Sequence, residues 1–121
     1  MLVDSNIIIY AAAANGDKCR EFIQKFTPSV SVITQIEVLG YHKLNDTDKL
    51  LLEQIFQTLK PIAISTPIVQ EAIRFRQTRK MTLGDAVIAA TAMVHHLTLA
   101  THNTKDFSWI SGIQVIDPVS D

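Results

Sequence analysis

The sequence contains few of the residues that mark special protein classes. Cys19 is the only cysteine among 121 residues, so no disulfide can form within the chain. Glycine and proline occur four times each, too rarely for a disordered or a fibrous chain. The longest stretch of low polarity, residues 86–94, is far shorter than the roughly 20 apolar residues of a membrane span. A disulfide scaffold, a fibrous protein and a membrane-spanning helix are therefore excluded.

Charge of one sign is also lacking, because the formal net charge is −1. This balance argues against a protein that holds nucleic acid by bulk electrostatics alone, although local basic patches remain open. The length and the apolar fraction of 47% predict a single globular domain over residues 1–121. The chain begins almost directly with a structural segment rather than a charged leader, so we expect a cytoplasmic protein.

Short runs of apolar or β-branched residues predict five strands. They cover residues 1–3, 29–33, 62–64 and 97–101, with a last strand near Val115. Helices are expected between them, and they start after Ser5-Asn6, at Asp17, at Thr34, at Asp46 or Thr47, at Thr66-Pro67 and at Gly84-Asp85. This alternation indicates an α/β sandwich with a mainly parallel central sheet and helices on both faces.

Two of the helices carry specific signals. Thr34 and Glu37 have the spacing of a capping box, which predicts Glu37 in the first turn of a helix that runs through Tyr41 and Leu44. The next helix is expected to end at Pro61 and to bury one apolar face. That face consists of Leu50, Leu51, Ile55, Phe56 and Leu59.

Acidic residues are placed where strands end or helices begin. They are Asp4, Glu37, Asp85 and Asp106. Because ligands gather at the carboxyl ends of parallel strands, we expect these four carboxylates to converge at one edge of the sheet. Their repulsion would then require a cation, most simply a divalent metal. Each acid taken alone is equally well explained as a helix cap, and both roles can hold together.

Four segments resemble the PIN-domain family, in its VapC-like toxin branch. They are Asp4-Ser5-Asn6, the Thr34 and Glu37 pair, residues 83–92 and residues 101–107, in the order of the family. The resemblance implies a PIN-like three-layer sandwich and a ribonuclease that hydrolyses RNA with Mg²⁺ or Mn²⁺. It also implies a homodimer and a cognate antitoxin protein as partners, the chain being the toxin of the pair.

Carried over to this sequence, the resemblance implies that the four acids are the catalytic and metal-binding residues. Asp4 and Asp85 are the expected direct ligands, Glu37 a ligand or a water-orienting group, and Asp106 a ligand through water or to a second ion. Polar residues that could orient carboxylates or waters, or else simply cap and close turns, are Ser5, Asn6, Thr34, Thr101 and Asn103.

Basic and apolar residues offer further surfaces. RNA contacts, or merely a solvated helix face, are expected at Arg74, Arg76, Arg79, Lys80 and Lys105. An apolar stripe is expected to be core, although part of it could form a groove for an antitoxin segment. The stripe comprises Ile7, Tyr10, Phe22, Phe26, Leu39 and Tyr41.

Other functions remain open or are disfavoured. A housekeeping PIN nuclease and a catalytically silent module that binds RNA or protein both fit the same fold. A phospho-receiver domain needs paired acids after the first strand, and a haloacid-dehalogenase-like phosphatase needs an acid where Asn6 stands. His95 and His96 are adjacent and face different directions on a helix, which disfavours a transition-metal site.

Overall fold

A parallel five-stranded sheet forms the centre of the computed structural model, which describes residues 1–120. The strands are β1 (Leu2–Val3), β2 (Ser29–Ser31), β3 (Lys60–Ile62), β4 (Leu99–Ala100) and β5 (Val115–Ile116). Their order in the sheet is β3-β2-β1-β4-β5, and every neighbouring pair is parallel. The predicted mainly parallel sheet is confirmed, and β1 lies at its centre.

Six α-helices and one short 3₁₀ helix connect the strands within residues 1–120. They are α1 (Ser5–Ala12), α2 (Asp17–Phe26), α3 (Val32–Leu39), α4 (Asp46–Gln57), α5 (Thr66–Thr78), α6 (Leu83–His95) and the 3₁₀ helix Thr104–Asp106. Among residues 1–120, no helix is both long and apolar enough to cross a membrane.

The sheet separates two hydrophobic cores. Leu2 and Leu99 belong to the first core, which α5 and α6 build from residues such as Phe75 and Ile88. Val3 and Ala100, the next residues of the same strands, belong to the second core. Helices α1, α2 and α4 build this core from residues such as Ile7, Phe22 and Phe56. Successive strand residues point to opposite faces of a sheet, so this division places helices on both faces, as predicted.

The start of α3 differs from the sequence prediction. Strand β2 ends at Ser31, and the Ser31 hydroxyl caps the helix by accepting a 3.2 Å hydrogen bond from the Ile33 backbone N–H. The predicted capping box at Thr34 is therefore wrong, and Glu37 lies in the second turn instead of the first. The β-branched Val32 and Ile33 suggested a longer strand, but tertiary packing overrides such propensities.

The segment around α4 also differs. Asn45, rather than Asp46 or Thr47, caps the helix, since its side chain accepts a 2.8 Å bond from the Asp48 N–H. Of the predicted buried face, Leu50 and Leu51 are exposed, whereas Leu52 supplies the burial together with Phe56. Leu51 and Leu52 lie about 100° apart around the helix axis, so taking Leu51 instead of Leu52 misplaced that part of the buried face.

The prediction that α4 ends at Pro61 is wrong, because the helix already ends at Gln57. Pro61 lies inside β3, which starts two residues earlier than the predicted strand, and Pro61 pairs with Val30. Strand β3 is an edge strand, where the missing N–H of proline removes no bond to a further neighbour. The predicted strand at residues 97–101 is likewise shorter, covering Leu99–Ala100.

Candidate functional site

Asp4 stands at the carboxyl end of the central strand and is 4% exposed. One carboxylate oxygen accepts a 2.8 Å bond from the Ser5 backbone N–H, and the other accepts a 2.8 Å bond from the Thr101 hydroxyl. Burial raises the pKa of Asp4, the bonds from Thr101 and Ser5 lower it, and the charge of Asp106 raises it. The side chain is thus fixed in place, but its charge is costly.

A small polar network holds this arrangement across two neighbouring strands. Thr101 follows β4, and its hydroxyl accepts a 3.4 Å bond from the Asn6 amide as well as a 3.0 Å bond from the Asn103 backbone N–H. The Asn6 side-chain oxygen accepts from the His102 backbone N–H at 3.3 Å. Thr101 and Asn6 therefore position Asp4, whereas Asn103 contributes its backbone and makes no side-chain cap.

Asp85 occupies the first turn of α6. Its backbone N–H donates a 3.1 Å bond to the hydroxyl of Thr82, the helix cap. Burial raises the pKa of Asp85 to about 6, with further contributions from the charges of Asp4, Asp106 and Glu37, while a hydrogen bond between the Asp85 side chain and Thr82 lowers it. The charges of all three other acids therefore act on the carboxylate of Asp85.

Glu37 reaches the same place from α3. Burial and the charge of Asp4 raise the pKa of Glu37. Its carboxylate lies directly over Gly84 of α6, where a Cβ atom would stand 2.4 Å and 2.7 Å from the two Glu37 oxygens. Any other residue at position 84 would therefore push the Glu37 carboxylate away, so glycine here makes room for the acid.

Asp106 belongs to the 3₁₀ helix after β4 and is exposed. Its backbone carbonyl accepts a 3.0 Å bond from the indole N–H of Trp109. Its charge acts on both Asp4 and Asp85. We call the four residues Asp4, Glu37, Asp85 and Asp106 the acidic pocket.

The donor chemistry of the acidic pocket fits a hard divalent cation. All four groups are oxygen donors, and no ion pair joins any of them to a basic side chain in residues 1–120. The Thr34 hydroxyl, one helical turn before Glu37, is fully buried and has no hydrogen-bond partner among residues 1–120. An unsatisfied buried hydroxyl is costly unless a further group or water completes it.

The spacing of the acids limits the kind of site. Within the part of the chain that the structure describes, no three His, Cys, Asp or Glu side chains stand close enough to ligate one ion together. Mg²⁺ keeps several of its waters and is usually bound through one or two carboxylates. The acidic pocket thus suits a hydrated ion better than one enclosed by protein ligands.

Two surfaces of different chemistry border the acidic pocket. The first, which we call the apolar groove, has a volume of about 500 Å³ and includes Glu37. Its other lining residues are Ser5, Ile9, Ala12, Ala13, Val38, Tyr41, Leu44, Asp48 and Leu52. Of the predicted apolar stripe, Ile7 and Phe22 are buried, but Tyr10, Phe26 and Tyr41 are exposed, so the stripe is only partly core.

The second surface, the basic cleft, has a volume of about 480 Å³ and includes Asp85 and Asp106. It is also lined by Arg79, Lys80, Met81, Thr82, Lys105 and Trp109. Of the other predicted RNA contacts, Arg74 pairs with Glu71 at 2.6 Å, and Arg76 is exposed outside the cleft. The structure therefore brings three of the five basic residues beside the acids.

Sequence reasoning missed the roles of two residues. Gly84 was predicted only as part of a helix start, but it also makes room for the Glu37 carboxylate. A glycine inside a helix, directly before Asp85, was the signal for this second role. The missed role of Trp109 is its hydrogen bond to the Asp106 carbonyl. Trp109 stands three residues after Asp106, and this spacing, typical of a single turn, was the signal for the contact.

The fold and its neighbours identify the protein class. Residues 1–112 match the family model described as PIN domain, so the chain belongs to the PIN domain family. No curated protein matches the sequence at a significant level.

Solved structures refine this placement. A chain in a toxin-antitoxin complex from Klebsiella pneumoniae is 32% identical, with a TM-score of 0.76 and 99% of this chain and 98% of that chain covered. VapBC2 from Rickettsia felis, bound to a DNA fragment from their promoter, gives 20% identity, a TM-score of 0.82 and 96% of each chain. VapBC-1 from nontypeable Haemophilus influenzae gives 23% identity, a TM-score of 0.80 and 98% of each. The VapBC2 and VapBC-1 structures show that this chain shares their fold.

Proposed function

We propose that this PIN domain is a metal-dependent endoribonuclease and the toxin of a toxin–antitoxin pair. The observation that carries the proposal is the acidic pocket, in which burial and neighbouring carboxylate charges raise the pKa of Asp4, Glu37 and Asp85, and no basic side chain of residues 1–120 forms an ion pair with them. A cation between such acids would offset their mutual repulsion and favour the ionised carboxylates. Mg²⁺ or Mn²⁺ matches the oxygen donors.

The residues of the acidic pocket have distinct positions for this chemistry. Asp4, whose carboxylate accepts bonds from Thr101 and Ser5, and Asp85, whose backbone and side chain both bond to Thr82, are the best-fixed candidate ligands. In this proposal Glu37, which lies over Gly84, ligates the ion or orients a water, and Asp106, in the 3₁₀ helix, acts through water or on a second ion. When bound, the metal would supply an activated water and neutralise charge on the phosphate.

The toxin assignment is supported by the relatives. The structure with 32% identity is described as a toxin-antitoxin complex, and the match extends over nearly all of both chains. The apolar groove beside Glu37 supports a protein partner, since Ile9 and Tyr41 are 51% and 54% exposed there. An amphipathic antitoxin segment would bury these side chains and cover one side of the acidic pocket.

The remaining features of the proposal follow from the same assignment. RNA is the expected substrate, a homodimer the expected assembly, the cytoplasm the expected place of action and residues 1–121 one catalytic unit. A housekeeping nuclease would also cleave RNA, but its expression would not arrest growth in a way that a partner protein relieves. A silent module would bind RNA without cleaving it.

A cleavage assay tests the proposal. Purified protein is incubated with single-stranded RNA and Mg²⁺ or Mn²⁺, beside the Asp4→Asn variant and beside a chelator control. We expect cleavage only by the unaltered protein with metal. Equal cleavage in all three reactions would refute it, and cleavage in none would favour the silent module. Circular dichroism of Asp4→Asn controls for loss of fold.

A further inference from the structure

The basic cleft contains a set of residues that the acidic pocket does not explain. Arg79, Lys80 and Lys105 are exposed, and no ion pair within residues 1–120 engages them. By contrast, Arg20 pairs with Asp17 and Arg74 with Glu71. The cleft shares Asp85 and Asp106 with the acidic pocket, so its free cations border the candidate reaction site directly.

Arg79 is the most firmly held of the three. It caps the carboxyl end of α5, and its backbone N–H donates a 3.1 Å bond to the Phe75 carbonyl. Its guanidinium lies 5.3 Å from the centre of the Trp109 ring, within the range of a cation–π interaction. The guanidinium is therefore positioned without an acidic partner.

Trp109 is itself fixed on two sides. Its indole N–H donates to the Asp106 carbonyl at 3.0 Å. Its ring meets the ring of Phe75 edge-on, with centroids 6.1 Å apart, and Phe75 is 1% exposed. The chain of contacts from Asp106 through Trp109 to Arg79 thus ties a guanidinium to the segment that carries an acid of the pocket.

We propose that Arg79, held against Trp109, binds a backbone phosphate of the RNA strand next to the phosphodiester that lies at the acidic pocket. The inference rests on the proposed function. A planar guanidinium without an acidic partner matches the two oxygens of a phosphate, and its stacking on an indole reduces the freedom lost on binding. A strand with one phosphodiester at Asp85 places its neighbouring phosphate within a nucleotide's length, where the basic cleft lies.

Arg74 and Arg76 provide the contrast on the same helix. Arg74 also stacks on Phe75, at 4.8 Å from the ring centre, but Glu71 occupies its guanidinium. Arg76 is exposed and lies outside the basic cleft. A merely solvated basic face would make Arg76 and Arg79 equivalent, whereas a phosphate site makes them different.

The test measures binding of a single-stranded RNA oligonucleotide over a range of salt concentrations, in an Asp4→Asn background that prevents cleavage. Adding Arg79→Ala should weaken binding by roughly ten-fold or more, the scale of one charge-assisted hydrogen bond. It should also reduce the slope of log affinity against log salt by roughly 0.7 to 1, because one phosphate contact is lost. Arg76→Ala, the matched control, should change neither quantity.

Two further variants separate charge from positioning. Arg79→Gln keeps the stem and should reproduce the lower salt slope even if alanine disturbs the helix end. Trp109→Phe keeps a ring against Phe75 but removes the indole donor, so we expect weaker binding with an unchanged salt slope. Equal effects of Arg79→Ala and Arg76→Ala, or an unchanged slope in Arg79→Gln, would overturn the inference.

The outcome is independent of the cleavage assay. If the unaltered protein cleaves RNA but Arg79→Ala binds normally, this inference fails and the proposed function stands. If the unaltered protein cleaves nothing but Arg79→Ala loses RNA binding, the proposed function fails and the phosphate site stands.

Discussion

The apolar groove and the basic cleft border the same acidic pocket but have opposite chemistry. The groove combines exposed apolar side chains such as Ile9 and Tyr41 with the acids Glu37 and Asp48. The cleft combines three cations and an indole with Asp85 and Asp106. A polyanion would be repelled by the first surface and attracted by the second, whereas an amphipathic protein segment suits the first. In the proposed function, the basic cleft therefore binds the RNA substrate and the apolar groove binds the antitoxin.

This division follows from the two faces of the sheet. The groove is built on α1, α3 and α4, whose residues contribute to the second core, while α5 and α6 carry the first core beside the cleft. Asp4 ends the central strand between them. The sheet therefore places the acids at a boundary that both surfaces reach.

Removing an acid shared with the cleft should have the largest effect. We expect Asp85→Asn to lower RNA cleavage by at least about 100-fold, since even groups that only support metal ligands often cost 10- to 100-fold. RNA binding should persist, because the basic residues of the cleft remain. Cleavage rates and RNA affinities measure this, with the exposed Asp46→Asn as control. Full activity of Asp85→Asn would remove the acidic pocket from the mechanism.

Filling the space at Gly84 should disturb the acid shared with the groove. Because a Cβ at this position would meet the Glu37 oxygens, Gly84→Ala should weaken Mn²⁺ binding and cleavage by roughly 10- to 100-fold. The unfolding temperature should change little, since alanine also favours the helix by up to about 1 kcal/mol. Mn²⁺ titration and thermal unfolding measure the two quantities.

Controls for Gly84→Ala are available in the chain itself. Leu83→Ala alters the neighbouring exposed position and should bind Mn²⁺ normally. Adding Glu37→Asp to Gly84→Ala shortens the acid and should recover part of the lost affinity. If Gly84→Ala binds Mn²⁺ as tightly as the unaltered protein, the close approach of Glu37 has no role in the site.

A substitution confined to the apolar groove should weaken antitoxin binding without changing RNA cleavage. Tyr41→Ala should weaken binding of the antitoxin by about 10-fold or more, the scale of an aromatic contact residue, and should leave RNA cleavage unchanged. Leu50→Ala, exposed on α4 outside the groove, is the matched control. Calorimetry with the cognate antitoxin measures the affinity. A loss of cleavage in Tyr41→Ala would show that the two surfaces are not distinct.

The pH dependence of stability gives the smallest expected effect. Asp85 has a pKa of about 6 in the folded chain against an ordinary value of 3.8, so the folded state holds its proton more tightly. The resulting stabilisation is complete below the lower value and is lost as pH rises through the higher one. Without metal, the free energy of unfolding of the unaltered protein should therefore fall over this range relative to Asp85→Asn.

Denaturant unfolding at a series of pH values measures this difference. Adding Mg²⁺ should reduce the fall, because the cation replaces the proton as the partner of the carboxylate. Parallel profiles of the two proteins, or a relative gain of stability with rising pH, would contradict the electrostatic description of the acidic pocket.

Much of the fold was predictable because it depends on local patterns. Alternating strand and helix signals predicted the parallel sheet, and Thr66-Pro67 predicted the start of α5, which the structure confirms. The start of α3 was not predictable in this way, because Ser31 and Thr34 offer equally good caps and only packing selects Ser31. Pro61 was misread for the same reason, since only the sheet order makes β3 an edge.

The candidate site shows a similar limit. Three of the four acids lie at element boundaries as expected, but Glu37 lies in the second turn of α3, and its close approach to Gly84 joins two helices far apart in the chain. The stacking of Arg79 on Trp109 likewise depends on how α5 packs beside the 3₁₀ turn. Distances between such elements follow from tertiary packing, which a single sequence does not reveal.

Mn²⁺ binding in solution tests the central claim most directly. Calorimetric titration of Mn²⁺ into the unaltered protein should give saturable binding, and Asp4→Asn, with its fold verified by circular dichroism, should bind much more weakly. Equal Mn²⁺ binding by both proteins, or none by the unaltered protein, would contradict the claim that the acidic pocket is a metal site.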